Sequence, residues 1–192
     1  LGVTEAFNAD KNPAKVNLGV GVYSGDDGKV PLLDCVRRAE IELTAKAAPR
    51  GYLPIDGIPA YDQAVQALLF GADSDVVASG RAVTVQAVGG TGGLTVGADF
   101  LQRFAPGAGV WISDPSWENH RALFEAAGFT VHSYPYYDAK RRGLDFDAMI
   151  GALDGLPAGS IVLLHACCHN PTGADPTPAQ WERIVTTVRA RG

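Results

Sequence analysis

The sequence predicts an α/β protein in three layers, with a mainly parallel sheet that is covered by helices on both faces. Two observations predict it. From Arg81 onward, short apolar runs alternate with segments of helical periodicity, and the runs are apolar on both faces, as in strands covered on both sides. Each parallel return needs a crossover, which the helical segments supply. The 192 residues, 46% of them hydrophobic, can bury a substantial core.

A looser segment and two helices precede this alternation. Val16 to Tyr23 is a short apolar stretch with glycines at positions 19 and 21, which indicates backbone that another group approaches closely. Amphipathic spacing predicts helices over Leu32 to Ala47 and Pro59 to Phe70. The second helix has Pro59 in its first turn and Gly71 just past its end, the positions that these residue types favour.

The alternating part predicts four strands and four helices. Apolar runs of strand length predict strands at Ala82 to Val88, Val110 to Ser113, Phe129 to Tyr134 and Ser160 to His165. Helical periodicity predicts helices at Leu94 to Phe104, Trp117 to Ala127, Phe146 to Leu153 and Pro178 to Arg189. Strands and helices therefore follow one another as repeated β-α units.

Charge and cysteine content narrow the class of ligand. A net charge of -5 and a pI near 5.3 disfavour nucleic acid and anionic membranes as partners. Three cysteines make no disulfide framework and favour a reducing cytoplasm, and no signal peptide or apolar run of about 20 residues is visible. Small molecules are the expected ligands. The chain opens without Met and stops straight after a helical pattern, so we expect it to be a piece of a longer protein.

Each unusual motif directly follows a predicted strand. "GGTGG" (Gly89 to Gly93) follows the first strand, "DPSWENH" (Asp114 to His120) the second, and "HACCHNPTG" (His165 to Gly173) closes the fourth. Ligands of open α/β sheets bind in the crevice outside the carboxyl ends of the strands. We therefore expect the three motifs to line one pocket.

The glycine-rich motif suits a phosphate. Glycines let the backbone approach an anion, the following helix offers free N–H groups, and Thr91 adds a hydroxyl donor. The spacing matches neither dinucleotide nor triphosphate fingerprints, so a phosphate monoester is favoured over both. A plain strand-to-helix turn is an equal alternative.

The other two motifs are open to several interpretations. Trp117 could lie flat over a planar ring, with His120 on the same helical face, or the two could be a core aromatic residue and a surface histidine. Adjacent Cys167 and Cys168 cannot converge on a metal and lack support as nucleophiles, so we expect them to be buried and inert. A cis bond between Asn170 and Pro171 would direct the Asn170 amide into the crevice.

Taken together, five motifs resemble the class I, fold-type I pyridoxal-phosphate aminotransferases, and within them the aspartate and aromatic amino acid subgroup. The motifs are "VNLGVGVY", "YLPIDGIPAYDQAV", "GGTGGL", "SDPSWENH" and "HACCHNPTGADPT". The resemblance covers nearly the whole chain in the right order. It implies part of a large cofactor-binding domain of fold type I at residues 31–192, and an N-terminal segment near the substrate at residues 1–30.

The resemblance also assigns roles, with pyridoxal 5'-phosphate as cofactor. It implies that Gly89, Gly90 and Thr91 hold the phosphate, that Trp117 stacks on the pyridine ring, and that Asn170 donates to the ring's 3-oxygen. Trp117, Asn170 and Gly21 would also contact the substrate. Tyr52 would reach the phosphate of a second subunit in a homodimer with shared sites. His120 and His165 would act behind the cofactor, His120 by supporting the acid that pairs with the pyridine nitrogen.

The family's Schiff-base lysine, nitrogen-pairing aspartate and carboxylate-binding arginines lie beyond the point where this sequence stops, and none of its five lysines matches the lysine motif. We therefore expect no catalytic residue and no aminotransferase activity in the 192 residues alone, and an exposed edge where further strands would pair. Gly93 stands where the family usually has alanine. A phosphate-binding or dimerisation module without activity, and a nucleotide-binding oxidoreductase, are the alternative functions.

Overall fold

The computed structural model describes residues 2–17, 19 and 21–192, which form two compact units at residues 1–52 and 53–192. The predicted division at residues 30/31 stays a prediction. In the first unit, α1 is Gly2–Ala9, which the sequence did not predict, and α2 is Asp34–Lys46, which confirms the predicted helix. Neither helix buries a side chain in the described part of this unit. Leu18 and Val20 of the apolar Val16 to Tyr23 stretch lie outside the described residues.

The second unit contains three of the four predicted strands, the other predicted helices and three further elements. Its elements are α3 (Pro59–Phe70), α4 (Asp75–Ala78), α5 (Gly89–Phe104), β1 (Val110–Asp114), α6 (Glu118–Ala126), β2 (Val131–Pro135), β3 (Tyr137–Asp138), β4 (Gly143–Leu144), α7 (Phe146–Asp154), β5 (Ile161–Val162) and α8 (Pro178–Arg191). Helix α4 and the small β3–β4 antiparallel hairpin were not predicted. In this part of the chain, as in the other described residues, no helix is long and apolar enough to cross a membrane.

The sheet is parallel, with β1 in the centre of the order β2-β1-β5. All five residues of β1 pair with β2, starting with Val110 opposite Val131, and two of them pair with β5. This arrangement confirms the parallel sheet predicted for the second, third and fourth apolar runs. It also places the carboxyl ends of β1 and β5 next to each other.

Helices cover both faces of the sheet. Val110 and Ile112 of β1 are buried against Ala98 of α5 and Phe124 of α6. On the other face, buried residues of β2, α7 and α8 form a second cluster, and Trp111, which alternates with Val110 and Ile112 along β1, packs against it. A strand with apolar residues on both faces therefore lies between two helical layers, as predicted.

The predicted first strand is wrong as a strand. Residues 81–87 form neither helix nor strand, and they pair with no other strand within the described ranges. One side chain of α3 holds the segment: Gln66 Nε2 donates to Thr84 Oγ1 at 3.0 Å and, more weakly, to the Ala82 carbonyl at 3.4 Å. Val83 and Val85 point outward and are exposed. An apolar β-pattern makes a strand only when a neighbouring strand exchanges a series of backbone hydrogen bonds with it, and the described residues supply only isolated ones here, such as that from the Gln86 N–H to the Asp56 carbonyl at 2.9 Å.

The predicted glycine turn and the helix after it also differ from the structure. Helix α5 begins at Gly89, five residues before the predicted start at Leu94, so "GGTGG" forms its first turn. The low helix propensity of glycine made this stretch look like a turn. Gly89 itself has a φ of 65°, in the left-handed region, where glycine is at no steric disadvantage.

Candidate functional site

The loops that follow β1 and β5 meet at the carboxyl edge of the sheet. Ser116 lies three residues after the buried Ser113 of β1, and its Oγ is 2.8 Å from His120 Nδ1 and 3.5 Å from His165 Nε2. The rings of His120 and His165 meet edge to face, 4.9 Å between centroids. Two of the three predicted motifs therefore form one cluster.

The hydrogen bonds of this cluster fix the positions of its protons. The backbone N–H of Asn170 donates to His165 Nδ1 at 3.1 Å, so the proton of a neutral His165 ring must be on Nε2, which faces Ser116. Ser116 Oγ can accept a weak hydrogen bond from that N–H and donate a hydrogen bond from its own hydroxyl to His120 Nδ1. His120 then carries its proton on Nε2. The chain of donors thus runs from the Asn170 backbone to a single N–H on His120.

His169, which the sequence analysis did not select, is the most enclosed of these rings. It is 2% exposed and lies between Tyr136 at 3.9 Å and His165 at 4.1 Å, with both pairs of rings nearly parallel. Ser113 Oγ is 2.9 Å from its Nε2 and Thr172 Oγ1 is 2.8 Å from its Nδ1. Both ring nitrogens are therefore satisfied, and His169 joins the end of β1 to the loop after β5.

Burial keeps these imidazoles neutral. Desolvation, with a smaller contribution from the neighbouring His165, lowers the pKa of His120 to about 4 and that of His169 to about 4. Desolvation also lowers the pKa of His165, against an opposing contribution from Asp175. At neutral pH the three rings are therefore uncharged, and each can donate one hydrogen bond and accept another.

Asp175 and Tyr136 anchor the loop that carries Asn170. The Asp175 carboxylate accepts the consecutive N–H groups of Cys168 at 2.7 Å and His169 at 2.8 Å, and these two bonds lower the pKa of Asp175. Tyr136 donates its hydroxyl proton to the Ala174 carbonyl at 2.6 Å, and burial raises the pKa of Tyr136 to about 12. The loop is thus held at both ends by groups that stay in one protonation state at neutral pH.

The predicted ring-contacting residues lie at the rim of this cluster. Trp117 is the half-buried N-cap residue of α6, and its ring meets that of His120 edge on at 5.3 Å. Asn170 is exposed, and the bond between Asn170 and Pro171 is cis, as considered from the sequence. The Asp114–Pro115 bond is also cis.

The predicted phosphate residues occupy the first turn of α5. Gly89, Gly90 and Thr91 are all exposed, and a Cβ built on either glycine would meet no atom within 4 Å. The N-cap residue is Val88, whose side chain offers no acceptor for the first N–H groups of the helix. Within residues 53–192, no hydrogen bond or ring contact joins this turn to the histidine cluster. That the glycine-rich motif lines the same pocket as the other two motifs therefore stays a prediction.

Gly21 and Tyr52 belong to the other unit. Tyr52 is fully exposed, and a Cβ at Gly21 would meet no atom within 4 Å. Both positions therefore have open space around them within residues 1–52.

The expectation of buried cysteines is wrong. Cys167 and Cys168 are both exposed, although His169 next to them is buried. Cys168 has a φ of 53°, in the left-handed region, where its N–H reaches Asp175. Within the described ranges, His, Cys, Asp and Glu make no group of three or more that could hold a metal ion.

Sequence reasoning missed Ser113, Ser116, Tyr136, His169 and Asp175 as parts of the site. One signal was available, because Ser116 and His120 are four residues apart across a helix start, a spacing that brings side chains together. The contacts between strands carry no such signal, since they depend on the order of strands in the sheet.

The family model and the curated relatives that match this chain are all aminotransferases. The model of the family "Aminotransferase class I and II" matches residues 13–192. An aspartate aminotransferase of Pseudomonas aeruginosa is 59% identical over 192 residues, and an aromatic-amino-acid aminotransferase of Escherichia coli is 49% identical over 194 residues. Each alignment covers 100% of this chain and 48% of the relative, so the chain spans about half the length of these curated relatives.

Solved structures agree. An aromatic-amino-acid aminotransferase from Burkholderia pseudomallei, covalently bound to pyridoxal phosphate, is 63% identical with a TM-score of 0.93. A psychrophilic aromatic amino acid aminotransferase from Psychrobacter sp. B6, cocrystallised with aspartic acid, is 44% identical with a TM-score of 0.93. Both comparisons cover 99% of this chain and 48% of the other. The fold is thus that of part of a fold-type I aminotransferase.

Proposed function

Since the chain belongs to the aminotransferase class I and II family, we propose that the whole protein moves an amino group between an amino acid and a 2-oxo acid with pyridoxal phosphate. The observation that supports this most directly is the meeting of the loops after β1 and β5, which joins Trp117, His120, His165 and the Asn170 backbone in one cluster. Pyridoxal phosphate, when bound, supplies an aldehyde that accepts the amino group and a ring that withdraws electrons from the reacting carbon.

The first turn of α5 fits the phosphate of that cofactor. Its N–H groups have no side-chain acceptor at Val88, its glycines leave the backbone uncovered, and the positive end of a 16-residue helix favours an anion. We assign Gly89, Gly90 and Thr91 to the phosphate. A phosphate monoester would replace water on these groups without displacing a side chain.

The rim of the histidine cluster fits the cofactor ring. We assign Trp117 to stacking on the pyridine ring, and Asn170 to donation from its side-chain amide to the ring's 3-oxygen and to contact with the substrate. The Asn170 amide is free for this task because its backbone, not its side chain, binds His165. Gly21 is assigned to the substrate as well, where a residue without a side chain leaves room.

We assign His120 to a supporting role, in which it donates a hydrogen bond to the acid that pairs with the pyridine nitrogen. The donor chain through Ser116 leaves one N–H on His120 Nε2, and a neutral imidazole with that proton can donate to a carboxylate. The low pKa of His120, about 4, keeps it a neutral donor at the pH where the enzyme would work. His165 acts through Ser116 and positions this proton.

We further propose a cytoplasmic homodimer with shared active sites. Tyr52 is fully exposed, as a residue that reaches the phosphate of a neighbouring subunit would be in an isolated chain. Three free cysteines, two of them exposed side by side, fit a reducing compartment.

The substrate class is tested by kinetics on the whole protein. Relatives named for aspartate and for aromatic amino acids both match at 49% identity or more, so we expect transfer to 2-oxoglutarate from both aspartate and phenylalanine. Absorbance of the bound cofactor checks that the protein is loaded. A loaded protein that transfers from neither amino acid would overturn the proposed function, and a negligible rate with phenylalanine alone would restrict it to acidic substrates.

A further inference from the structure

Cys167 and Cys168 lie side by side on the loop after β5, with both thiols exposed. We propose that they form a redox-active dithiol, which hydrogen peroxide converts to a disulfide between the two neighbours. Amino transfer needs no sulfur chemistry, so the inference goes beyond the proposed function. The third cysteine, Cys35, lies in the other unit without a cysteine next to it and serves as an internal comparison.

The chain itself keeps the two exposed thiols next to each other. The neighbouring Cys167 also raises the pKa of Cys168, so Cys167 is the sulfur that we expect to react first with an oxidant. A second thiol held against the first is the arrangement that captures an oxidised sulfur before it oxidises further.

Formation of the disulfide is a two-electron oxidation. The Cys167 thiolate attacks one oxygen of the peroxide, the O–O bond breaks, and water leaves after protonation, so that Cys167 becomes a sulfenic acid. The Cys168 sulfur then attacks the Cys167 sulfur, the S–O bond breaks, and a second water leaves as the S–S bond forms. Two thiols have lost two electrons and two protons, and one peroxide has been reduced to two waters.

The geometry favours a reversible bond. Consecutive Cα atoms across a trans peptide are about 3.8 Å apart, whereas disulfides are normally formed between Cα atoms about 4.4–6.8 Å apart. A disulfide between neighbours is therefore strained, and strained, exposed disulfides are the ones that reducing agents open readily. We expect a switch and not a structural crosslink.

Closing this ring acts on the Asp175 anchor. The left-handed conformation of Cys168 directs its N–H, together with that of His169, to the Asp175 carboxylate. Joining the sulfurs changes the peptide between Cys167 and Cys168, and two residues further on the Asn170 N–H binds His165. We expect oxidation to loosen this loop and thereby to lower the rate of amino transfer, an effect that rests on the proposed function.

The test is a mass measurement on the whole protein. No Lys or Arg lies between Arg142 and Arg183, so trypsin releases both cysteines in one peptide, residues 143–183. After hydrogen peroxide, alkylation and trypsin, the doubly alkylated form of this peptide should fall roughly tenfold and be replaced by a form two hydrogens lighter than the reduced peptide. Dithiothreitol before alkylation should restore the doubly alkylated form.

Two variants sharpen the result. Cys168→Ser should yield no disulfide and should stop at a sulfenic acid that dimedone traps, while Cys35→Ser should behave as the parent protein. A peptide that stays doubly alkylated under peroxide that oxidises free glutathione would overturn the proposal. A crosslink between two chains, in place of the internal bond, would overturn it as well.

The mass result is independent of amino transfer. A disulfide in a protein that never transfers an amino group upholds the dithiol and counts against the proposed function. An active enzyme in which peroxide forms no disulfide in this peptide overturns the dithiol and supports the proposed function.

Discussion

Single hydroxyl groups satisfy ring nitrogens of the buried histidines His120 and His169. Ser116 bonds to His120, and Ser113 and Thr172 satisfy the two nitrogens of His169. A buried imidazole without such partners would bear an unsatisfied nitrogen, which costs about 1–3 kcal/mol. The hydroxyls therefore order the rings as well as filling space between them.

Replacing Ser116 tests this role. In Ser116→Ala, His120 loses the donor that fixes its proton on Nε2, so we expect kcat/KM for aspartate to fall by roughly 2- to 10-fold, the value of one net hydrogen bond. Steady-state kinetics across pH measures the effect, and the fall should persist over the whole neutral range. Ser160→Ala is the control, because that hydroxyl bonds only to the nearby Pro157 carbonyl. Equal losses in both variants would point to a general structural effect.

The hydroxyl of Thr91 gives a second test at this scale. Thr91→Val removes a donor to an anion, and we expect pyridoxal phosphate to bind roughly 10- to 150-fold more weakly, from a loss of about 1.5–3 kcal/mol. Equilibrium dialysis of the whole protein measures the dissociation constant. Thr95→Val, one turn further along α5, loses only a bond to the Thr91 carbonyl and should retain cofactor. Unchanged affinity in Thr91→Val would remove the phosphate assignment.

The residues of the histidine cluster and its rim that the sequence singled out lie in local motifs. Trp117, His120 and Asn170 stand out because unusual residue types follow a strand end. His169 and Ser113, which are 2.9 Å apart, lie 56 positions from each other in the chain, and their contact depends on β5 lying next to β1. Periodicity predicts strands but not their order, so this part of the site could not be derived from the residues.

Helix α5 is unusual among the elements because its first turn is almost entirely glycine. Five glycines lie within its 16 residues, each less favourable to a helix than alanine by about 1 kcal/mol. At its N-terminus glycine is needed, since Gly89 has a positive φ. Further along, glycine serves no visible steric purpose.

Gly97→Ala should therefore stabilise the protein. Gly97 lies in the exposed interior of α5, and a Cβ there would meet no atom within 4 Å, so we expect about 0.5–1 kcal/mol of added stability from the reduced entropy of the unfolded chain. Gly89→Ala is the matched opposite, and should cost about 1 kcal/mol or more because alanine disfavours a positive φ. Urea unfolding compares the two variants with the parent. A loss of stability in Gly97→Ala would show that this face of α5 has a neighbour in the whole protein.

Element types were predicted well wherever each pattern could act locally. The bounds of α3 match the prediction because Pro59 and Gly71 mark both ends, and α8 runs two residues past its predicted end. The segment at residues 81–87 differs because pairing is not local: its alternating pattern is that of a strand, yet the hydrogen bonds that would make it one must come from elsewhere.

At the scale of the whole molecule, the buried histidines make stability depend on pH. The pKa values of His120 and His169 are lowered to about 4 in the folded state, against 6.5 for the unfolded state. As pH falls below 6.5 the unfolded chain binds protons that the folded chain does not, so stability falls until about pH 4 and then levels off. Above pH 6.5 these two rings make no difference.

Unfolding at two pH values measures this effect. Between pH 7 and pH 5 we expect the free energy of unfolding to fall by roughly 1–2 kcal/mol for each of the two histidines. His169→Gln should reduce that fall, although the variant is less stable at pH 7 because it loses the stacking on Tyr136. A fall of the same size in His169→Gln would assign the effect to other groups.

The order β2-β1-β5 also implies an order of events during folding. Strand β1 meets β2 along five residues after a loop of about 20 residues, but it meets β5 along only two after about 50 residues. Closing the longer loop costs more entropy and gains fewer backbone hydrogen bonds, so the β1-α6-β2 unit should form first and β5 should dock late. Pulsed hydrogen exchange would then protect the β2 amides before those of β5. The histidine cluster, which joins the ends of β1 and β5, would be assembled only in the last step, so that a half-folded chain would lack the complete cluster.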